Sequence, residues 1–229
     1  MSKMLPPPRI WITAPAAWYQ SRERNRRLSE DTYQLLKRGI DVVAVLIALP
    51  LVLLLVALCA LAVRLDSPGP IFFYQQRTGM GGRRFKMWKL RTMVVNAEEL
   101  KVTLAHLNEL TYPDFKISND PRITRVGRIL RKTSLDELPQ LLNVLTGEMS
   151  LVGPRPTSFS ASTYSLWHTA RLDLKPGITG LWQISGRADV DFDERLRLDI
   201  AYMRNRSLLL DVQILCRTVG AVVSSRGAN

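Results

Sequence analysis

The chain has 229 residues, enough for one large hydrophobic core, and its 32 Lys and Arg against 20 Asp and Glu give a formal net charge of +12. This positive excess predicts a polyanionic partner such as a nucleic acid, anionic lipid headgroups or a phosphorylated substrate. Two cysteines are too few for a disulfide framework, and neither of the two histidines has a zinc-ligand neighbour. Any metal would therefore be a hard cation held by carboxylates and phosphates.

Residues 1–36 are expected to form a partly ordered arm that lies against a membrane or the core. The arm contains three consecutive prolines, two tryptophans and an Arg-rich stretch at residues 22–27. No small-residue cleavage site follows the basic stretch, so a secretory signal is not predicted.

The strongest signal in the sequence is an apolar run. All 22 residues from 42 to 63 are apolar, and Lys37, Arg38 and Arg64 flank them. A helix of this length spans about 33 Å, which is enough to cross the core of a bilayer. A buried core helix is the alternative, but one without a polar residue over this length is uncommon in a soluble domain. Residues 37–66 are therefore predicted to be a membrane helix.

The topology of this helix is a separate question. Pro50 lies near its middle, where a proline removes a backbone hydrogen bond and is expected to break the helix. Eight basic residues between Lys3 and Arg38, and seven between Arg64 and Arg91, favour the cytoplasm for both flanks. A re-entrant helix, broken at Pro50 and returning to the same face, is therefore favoured over a spanning helix.

Residues 67–229 read as a globular domain. We expect an α+β fold that is mostly helical, in which a small β-hairpin packs with amphipathic helices. The predicted strands are 71–77 and 83–93, around a turn at 79–82, and the predicted helices are 96–110, 122–130, 136–145, 160–172, 192–205 and 208–223.

The adjacent carboxylates Asp136 and Glu137 have two interpretations. Ser134 and Glu137 have the spacing of a capping box, and acidic residues are common in a first helical turn. With Ser134 as the N-cap, Pro139 would break the helical hydrogen bonding, whereas with Asp136 as the N-cap it would be tolerated within the first turn. The same position, at the mouth of a helix N-terminus, also suits phosphate chemistry. Spacing alone favours the capping role.

Lys89 and Arg91 would share one face of the predicted second strand. Two cations on one face could converge on a diphosphate. The alternative is an edge strand that its charges keep soluble.

Two further arginines are candidate anion ligands. Arg131 belongs to a basic set at residues 122–132, for which a solvated or lipid-facing surface is the alternative, and it lies five residues before Asp136. Arg155 stands between two prolines, which favours preorganised anion binding over a simple rigid turn. A carboxylate pair, several fixed cations and a membrane segment together predict phosphoryl transfer at a membrane surface.

Several segments closely resemble the bacterial sugar transferase family, the monotopic polyprenyl-phosphate phosphoglycosyl transferases. The resemblance runs from about Lys37 to the C-terminus. Its motifs are DSPGP at 66–70, FKMWKLRTM at 85–93, SLDELPQ at 134–140, NVLTG at 143–147, MSLVGPRP at 149–156 and KPGITGLWQ at 175–183.

The resemblance implies a two-step transfer. Asp136 would attack the phosphate next to the sugar of a UDP-sugar and release UMP, and undecaprenyl phosphate would then take the sugar phosphate from the aspartate. Glu137 would have a supporting acid–base or metal-positioning role, and Mg2+ would bind at the nucleotide sugar, near Asp136. Lys89, Arg131 and Arg155 match phosphate-contacting positions.

The resemblance also implies a location and a pathway. The protein would lie on the cytoplasmic face of the bacterial inner membrane, in exopolysaccharide or other surface glycan synthesis. Relatives break their re-entrant helix at a Ser-Pro pair, whereas this chain has Leu49 before Pro50, so one hydroxyl that could satisfy the opened backbone is missing.

Two other functions stay open. A non-enzymatic membrane anchor could bind anionic lipid or nucleic acid, although residues 122–132 contain no aromatic residue, which argues against nucleic acid. An ordinary glycosyltransferase would release UDP rather than UMP. The sequence does not select the sugar, for which galactose or glucose is favoured by analogy alone, or the oligomeric state, for which a homodimer is one alternative.

Overall fold

A computed structural model of the protein describes residues 29–109, 115, 117–158, 166–185 and 192–223, so residues 1–28 of the expected arm lie outside it. The expected class, α+β and mostly helical, is confirmed. The helices are α1 (Glu30–Asp66), α2 (Ala97–Thr103), α3 (Arg125–Thr133), α4 (Gln140–Thr146), α5 (Leu181–Ser185), α6 (Phe192–Asn205) and α7 (Leu208–Val223), and the strands are β1 (Phe72–Thr78), β2 (Arg84–Leu90), β3 (Ser150–Val152) and β4 (Gly177–Thr179).

Helix α1 begins inside the segment expected to be an arm. The Ser29 hydroxyl caps it by accepting a hydrogen bond from the Thr32 N–H at 3.3 Å, and acidic residues occupy its first turn. The helix continues through Pro50 to Asp66 as one element, so Pro50 does not end it, and the re-entrant course stays a prediction. One proline removes a single backbone hydrogen bond, and the leucines around it are good helix formers. The angle between the two halves stays a prediction.

Helix α1 is long and apolar enough to cross a membrane, and only 17% of its most apolar stretch is buried against the rest of the protein. The core helix of a soluble domain would be mostly buried. Its N-terminal part is held by polar contacts: the Tyr33 hydroxyl and Lys37 Nζ donate to Asp211 at 3.1 and 2.8 Å, and Asp41 accepts from the Ser150 hydroxyl at 2.6 Å.

The predicted hairpin is confirmed. Strands β1 and β2 are antiparallel, with a register that runs from Phe72 opposite Leu90 to Thr78 opposite Arg84. The turn between them includes Gly81, whose φ of 63° is one that glycine adopts without a steric penalty.

Strand β2 connects the hairpin to α4. Its inward side chains Phe85 and Met87 are buried in a cluster with residues of α1 and α4. The Asn143 side chain accepts from the Trp88 N–H at 3.1 Å and donates to the Lys86 carbonyl at 2.8 Å. Helix α4 therefore pairs with β2 through a side chain that imitates a neighbouring strand.

Helices α6 and α7, predicted at 192–205 and 208–223, are confirmed at those bounds. They pack on the parallel pair β3–β4, where Tyr202, Ile214 and Val152 are almost fully buried. The Tyr202 hydroxyl donates to Asp211 at 2.7 Å, so the aspartate that holds α1 is itself fixed inside this core.

The predicted helix 136–145 begins later than expected, and the prediction that Asp136 is its N-cap is wrong. Residues Leu135–Glu137 form a 3-10 turn, and α4 starts after Pro139. Pro139 has no N–H to donate to the Leu135 carbonyl, which accepts instead from the Leu138 N–H at 3.3 Å. The chain therefore tightens before the α-helix can form.

The other predicted helices differ at their ends. The helix predicted at 122–130 is α3, shifted toward the C-terminus, and the one at 96–110 ends at Thr103, before a 3-10 turn at Ala105–Leu107. The helix predicted at 160–172 is a 3-10 helix at Leu166–Asp173, and residues 160–165 lie outside the described part of the chain.

We predict that Gly127→Ala lowers stability. A Cβ atom at Gly127, in α3, would lie 2.1 Å from the Thr92 carbonyl oxygen, so the helix would have to move away from the end of the hairpin. The matched control is Gly220→Ala in α7, where a Cβ meets nothing within 4 Å. Unfolding in detergent should show a loss of about 1–3 kcal/mol for the first variant and no loss for the second. Equal stabilities would contradict the close approach.

Candidate active site

The carboxylates Asp136 and Glu137 lie on the 3-10 turn Leu135–Glu137, called here the carboxylate turn. Ser134 ends α3 with a φ of 58°, the only positive φ of a non-glycine residue in the described part of the chain. A non-glycine residue in this left-handed conformation costs about 1–2 kcal/mol relative to a right-handed one. Ser134 ends α3 and directly precedes the carboxylate turn.

Two cations hold Glu137. Its Oε1 atom accepts from Lys89 Nζ and from Arg155 Nη2, both at 2.8 Å. Burial acts to raise the pKa of Glu137, but Arg155 and Lys89 outweigh it and hold the pKa well below the usual range. Glu137 is therefore a fixed anion that brings together β2, the carboxylate turn and the loop after β3.

Asp136 is in a different state from its neighbour. It is buried, and its nearest ion-pair partner, Lys89 Nζ, lies 3.7 Å from Oδ2. Burial raises the pKa of Asp136; Lys89 opposes this shift, and the charge of Glu137 adds to it. The Glu137 carboxylate is thus fully engaged in ion pairs, while the Asp136 carboxylate is desolvated and makes only a longer ion pair. The state of Asp136 suits a nucleophile or a general base.

A cleft of about 900 Å³ lies beside the carboxylate turn. Nine basic side chains line it against three acidic ones, and Arg131 and Arg155 are among the basic ones. Asp136, Glu137 and Lys89 are not among the lining residues. Arg131 and Arg155 connect the cleft to the carboxylate turn, because both line the cleft and both act on the pKa of Asp136. The aromatic rings of Phe115 and Trp182 line the same cleft. A ligand with several negative charges and a flat ring would match this lining.

The structure brings Lys89, Arg131 and Arg155 to the carboxylate pair, but not Arg91. Strand β2 ends at Leu90, so the alternation of side chains no longer applies to Arg91, and the predicted convergence of Lys89 and Arg91 is wrong. The Arg91 guanidinium instead donates to the carbonyls of Ser67, at 2.8 Å, and of Pro68.

Arg131 and Arg155 have further contacts that hold them. Arg131 Nε donates to the Thr92 hydroxyl at 2.9 Å. The carbonyl of Arg155 accepts from Arg171, whose guanidinium also pairs with Asp199 at 2.6 Å. Burial raises the pKa of Asp199 to about 6, although Arg171 opposes that shift.

Sequence reasoning missed Thr92, Arg171 and Asp199. For Asp199 a signal was present, because it falls on the apolar face of the predicted helix 192–205, where a lone aspartate needs a buried partner. Thr92 and Arg171 gave no such signal, since neither stands out in its local pattern.

Comparison with known proteins gives one consistent result. A family profile described as "Bacterial sugar transferase" matches residues 32–225. The "Galactosyl transferase CpsE" of Streptococcus agalactiae is 43% identical over 194 residues, which are 84% of this chain and 43% of that protein. The "Undecaprenyl-phosphate galactose phosphotransferase" of Salmonella typhimurium is 45% identical over 206 residues, 88% of this chain and 43% of that protein.

A third relative has a length closer to that of this chain. The "Exopolysaccharide production protein ExoY" of Rhizobium meliloti is 43% identical over 201 residues, 84% of this chain and 87% of that protein. The chain thus spans less than half of the two longer relatives and most of the shorter one.

We predict that Ser134 tolerates glycine better than a β-branched residue. Because its φ is 58°, Ser134→Gly should leave the free energy of unfolding unchanged or raise it, whereas Ser134→Val should lower it by about 1–2 kcal/mol. Chemical unfolding of both variants in detergent measures the difference. A valine variant as stable as the glycine variant would mean that the turn is not left-handed.

Proposed function

The chain belongs to the bacterial sugar transferase family, and we propose that it transfers a sugar 1-phosphate from a UDP-sugar to undecaprenyl phosphate with release of UMP. Relatives named "Undecaprenyl-phosphate galactose phosphotransferase" and "UDP-glucose:undecaprenyl-phosphate glucose-1-phosphate transferase" support this reaction. The relative ExoY, whose name refers to exopolysaccharide production, supports a role in making a surface polysaccharide.

The observation that carries the proposal is the contrast between Asp136 and Glu137 beside a cationic cleft. Transfer of a phosphoryl group needs a positioned nucleophile and cations that neutralise the charge of the transition state. Asp136 is a buried carboxylate that is not consumed by short ion pairs, and Lys89, Arg131 and Arg155 surround it. The lining of the cleft matches a nucleoside diphosphate, with cations for the phosphates and Phe115 or Trp182 for the base.

This arrangement supports a covalent step at Asp136. A carboxylate oxygen of Asp136 attacks the phosphorus that carries the sugar, and a P–O bond forms while the bond to the bridging oxygen of the diphosphate breaks. UMP leaves with the electron pair of the broken bond. An oxygen of undecaprenyl phosphate then attacks the same phosphorus and expels the Asp136 carboxylate, which gives a lipid diphosphate sugar. The acyl phosphate keeps the energy that the new diphosphate requires.

Glu137, Lys89 and Arg155 would act by charge and position. Glu137 keeps the two cations at fixed places, and Arg155, which also lines the cleft, would face the phosphate oxygens of the substrate there. Arg131, held by the Thr92 hydroxyl, would add a third positive charge.

A magnesium ion fits this donor set as a substrate-borne cation. Among the described residues no group of three or more His, Cys, Asp or Glu side chains could hold a metal. Because Glu137 is already paired with two cations, Asp136 is the carboxylate that would hold Mg2+, together with substrate phosphates and water, which is the ligand set that this ion prefers. Bound Mg2+ would neutralise the diphosphate and stabilise the departing UMP.

We place the protein on the cytoplasmic face of the inner membrane, with α1 re-entrant. A helix that crosses a bilayer has its ends on opposite faces, about 30 Å or more apart. Here both flanks of the apolar run bind the same globular fold: Asp41, directly before the run, accepts from Ser150, and Asp66, three residues after it, accepts from the Val126 N–H at 3.0 Å. The apolar middle is largely exposed. Because both flanks of the apolar run contact the same fold and both are basic, they support a helix that enters the membrane and returns to the face from which it came.

The Asp136→Asn variant tests the reaction. Purified protein in detergent receives Mg2+, undecaprenyl phosphate and a panel of UDP-sugars, and nucleotide release is measured. Wild type should release UMP from one sugar, Asp136→Asn should release at least 1,000-fold less because it lacks the nucleophile, and the exposed control Asp173→Asn should match wild type. Release of UDP would show an ordinary glycosyltransferase, and no nucleotide release by folded wild type would favour the non-enzymatic anchor.

The pH profile tests the state of Asp136. The nucleophile must be ionised, and its pKa is raised, so kcat/KM should fall as the pH drops through a value above the ordinary range of aspartate. Lys89 opposes that rise, so Lys89→Met should move the acidic limb to higher pH. The control Lys132→Met removes a cleft cation that does not contribute to the pKa shift of Asp136 and should leave the limb in place. A limb that moves to lower pH in Lys89→Met would contradict the assignment.

A further inference from the structure

The C-terminal end of α1 caps another helix. Asp66, the last residue of α1, accepts a hydrogen bond from the Val126 N–H at 3.0 Å, in the first turn of α3. The Thr124 hydroxyl accepts from the next N–H, that of Gly127, at 3.0 Å. The first N–H groups of a helix have no partner within the helix, so the α3 N-terminus is satisfied in part by a carboxylate of α1.

The N-terminal part of α1 caps a second helix. The Arg38 guanidinium donates to the carbonyls of Val144 and, at 2.8 Å, of Leu145, in the last turn of α4. Gly147 ends that helix with a φ of 84°, and its N–H donates to the Val144 carbonyl at 3.1 Å. The α4 C-terminus is thus completed by a cation of α1.

The signs of both charges are matched to the helices that they cap. A helix carries partial positive charge at its N-terminus, where Asp66 lies, and partial negative charge at its C-terminus, where Arg38 lies. Each contact therefore combines a hydrogen bond with a favourable charge, and both charges come from one helix.

The two capped helices are the ones that flank the carboxylate turn. Helix α3 ends at Thr133, the turn occupies Leu135–Glu137, and α4 begins at Gln140. Helix α1 therefore holds the two outer ends of a short unit whose inner junction carries the carboxylates.

We propose that Arg38 and Asp66 are positioning residues that hold α3 and α4 at the angle that aligns Asp136 with Lys89 and Arg155. The proposal rests on the proposed function for its kinetic test only. Arg91 supports the same arrangement, because its bonds to the Ser67 and Pro68 carbonyls fix the chain directly after Asp66.

The kinetic test compares Asp66→Ala and Arg38→Met with their conservative partners Asp66→Asn and Arg38→Lys. We expect kcat to fall at least tenfold in the first pair while KM for the UDP-sugar changes less than about threefold, because the cleft cations outside α3, such as Arg155 and Arg171, stay in place. Asp66→Asn still presents an oxygen acceptor and Arg38→Lys a cationic donor, so each should recover most of the lost rate. The control Arg64→Met removes a charge at the same end of α1 that caps no helix, and it should behave as wild type.

Hydrogen exchange gives a readout that needs no turnover. Amides of residues 134–138 and 140 should exchange faster in Asp66→Ala and Arg38→Met than in Arg64→Met, whereas co-flotation with vesicles should stay within the range of that control. The loss of one helix cap should lower the unfolding temperature by only a few degrees and leave the protein folded. If wild type released no UMP, the exchange result would still test whether Arg38 and Asp66 hold the carboxylate turn in place.

Three outcomes would overturn the proposal. The first is a kcat in Asp66→Ala and Arg38→Met equal to that of Arg64→Met, and the second is unchanged exchange in residues 134–140. The third is a loss of rate that only parallels a loss of vesicle binding or of folded protein. If Asp66→Ala or Arg38→Met fails to fold, the conservative variants Asp66→Asn and Arg38→Lys decide. Exchange at the wild-type rate in residues 134–140 of these variants supports the proposed positioning role, and exchange as fast as in an unstructured peptide contradicts it.

Discussion

The site depends on one ion cluster, in which the Glu137 carboxylate accepts from both Lys89 and Arg155. These residues come from β2, the carboxylate turn and the loop after β3, which no local interaction would bring together. The cluster is supported from behind, because Arg171 binds the carbonyl of Arg155 and pairs with Asp199 in α6. A buried charge that lost one partner would cost several kcal/mol, so the elements that carry this cluster are held in one arrangement.

The same cluster explains how two adjacent carboxylates acquire different properties. Glu137 forms ion pairs with both nearby cations and stays ionised, so it is a fixed negative charge between them. Asp136 has the same charge and almost the same position along the chain, but burial raises its pKa and its contact with Lys89 is longer. The distinction is one of environment, because the chemistry of the two side chains is nearly identical.

Local patterns predicted much of the fold. The hairpin, α6 and α7 each carry a periodicity or a turn signal within a few residues, and all three form as expected. The apolar run forms a helix too, but that helix begins earlier than expected and continues through Pro50. The 3-10 geometry of the carboxylate turn was not predicted, because it depends on a left-handed Ser134 that no neighbouring residue announces. Arg91 was assigned to the wrong partners, since the end of β2 depends on contacts with the loop at Ser67. The carboxylates themselves were singled out by a resemblance rather than by spacing.

If the chain acts on a lipid acceptor as proposed, the polar contacts of α1 at Arg38 and Asp66 have a geometrical consequence. A helix pinned at Arg38 and Asp66 cannot slide along the bilayer normal without breaking the bonds to α3 and α4. The depth of α1 in the membrane would therefore set the height of Asp136 above the hydrocarbon. The phosphate of a lipid acceptor, which rests at the level of the headgroups, would then arrive at the carboxylate turn at a constant height, whatever the thickness of the surrounding bilayer.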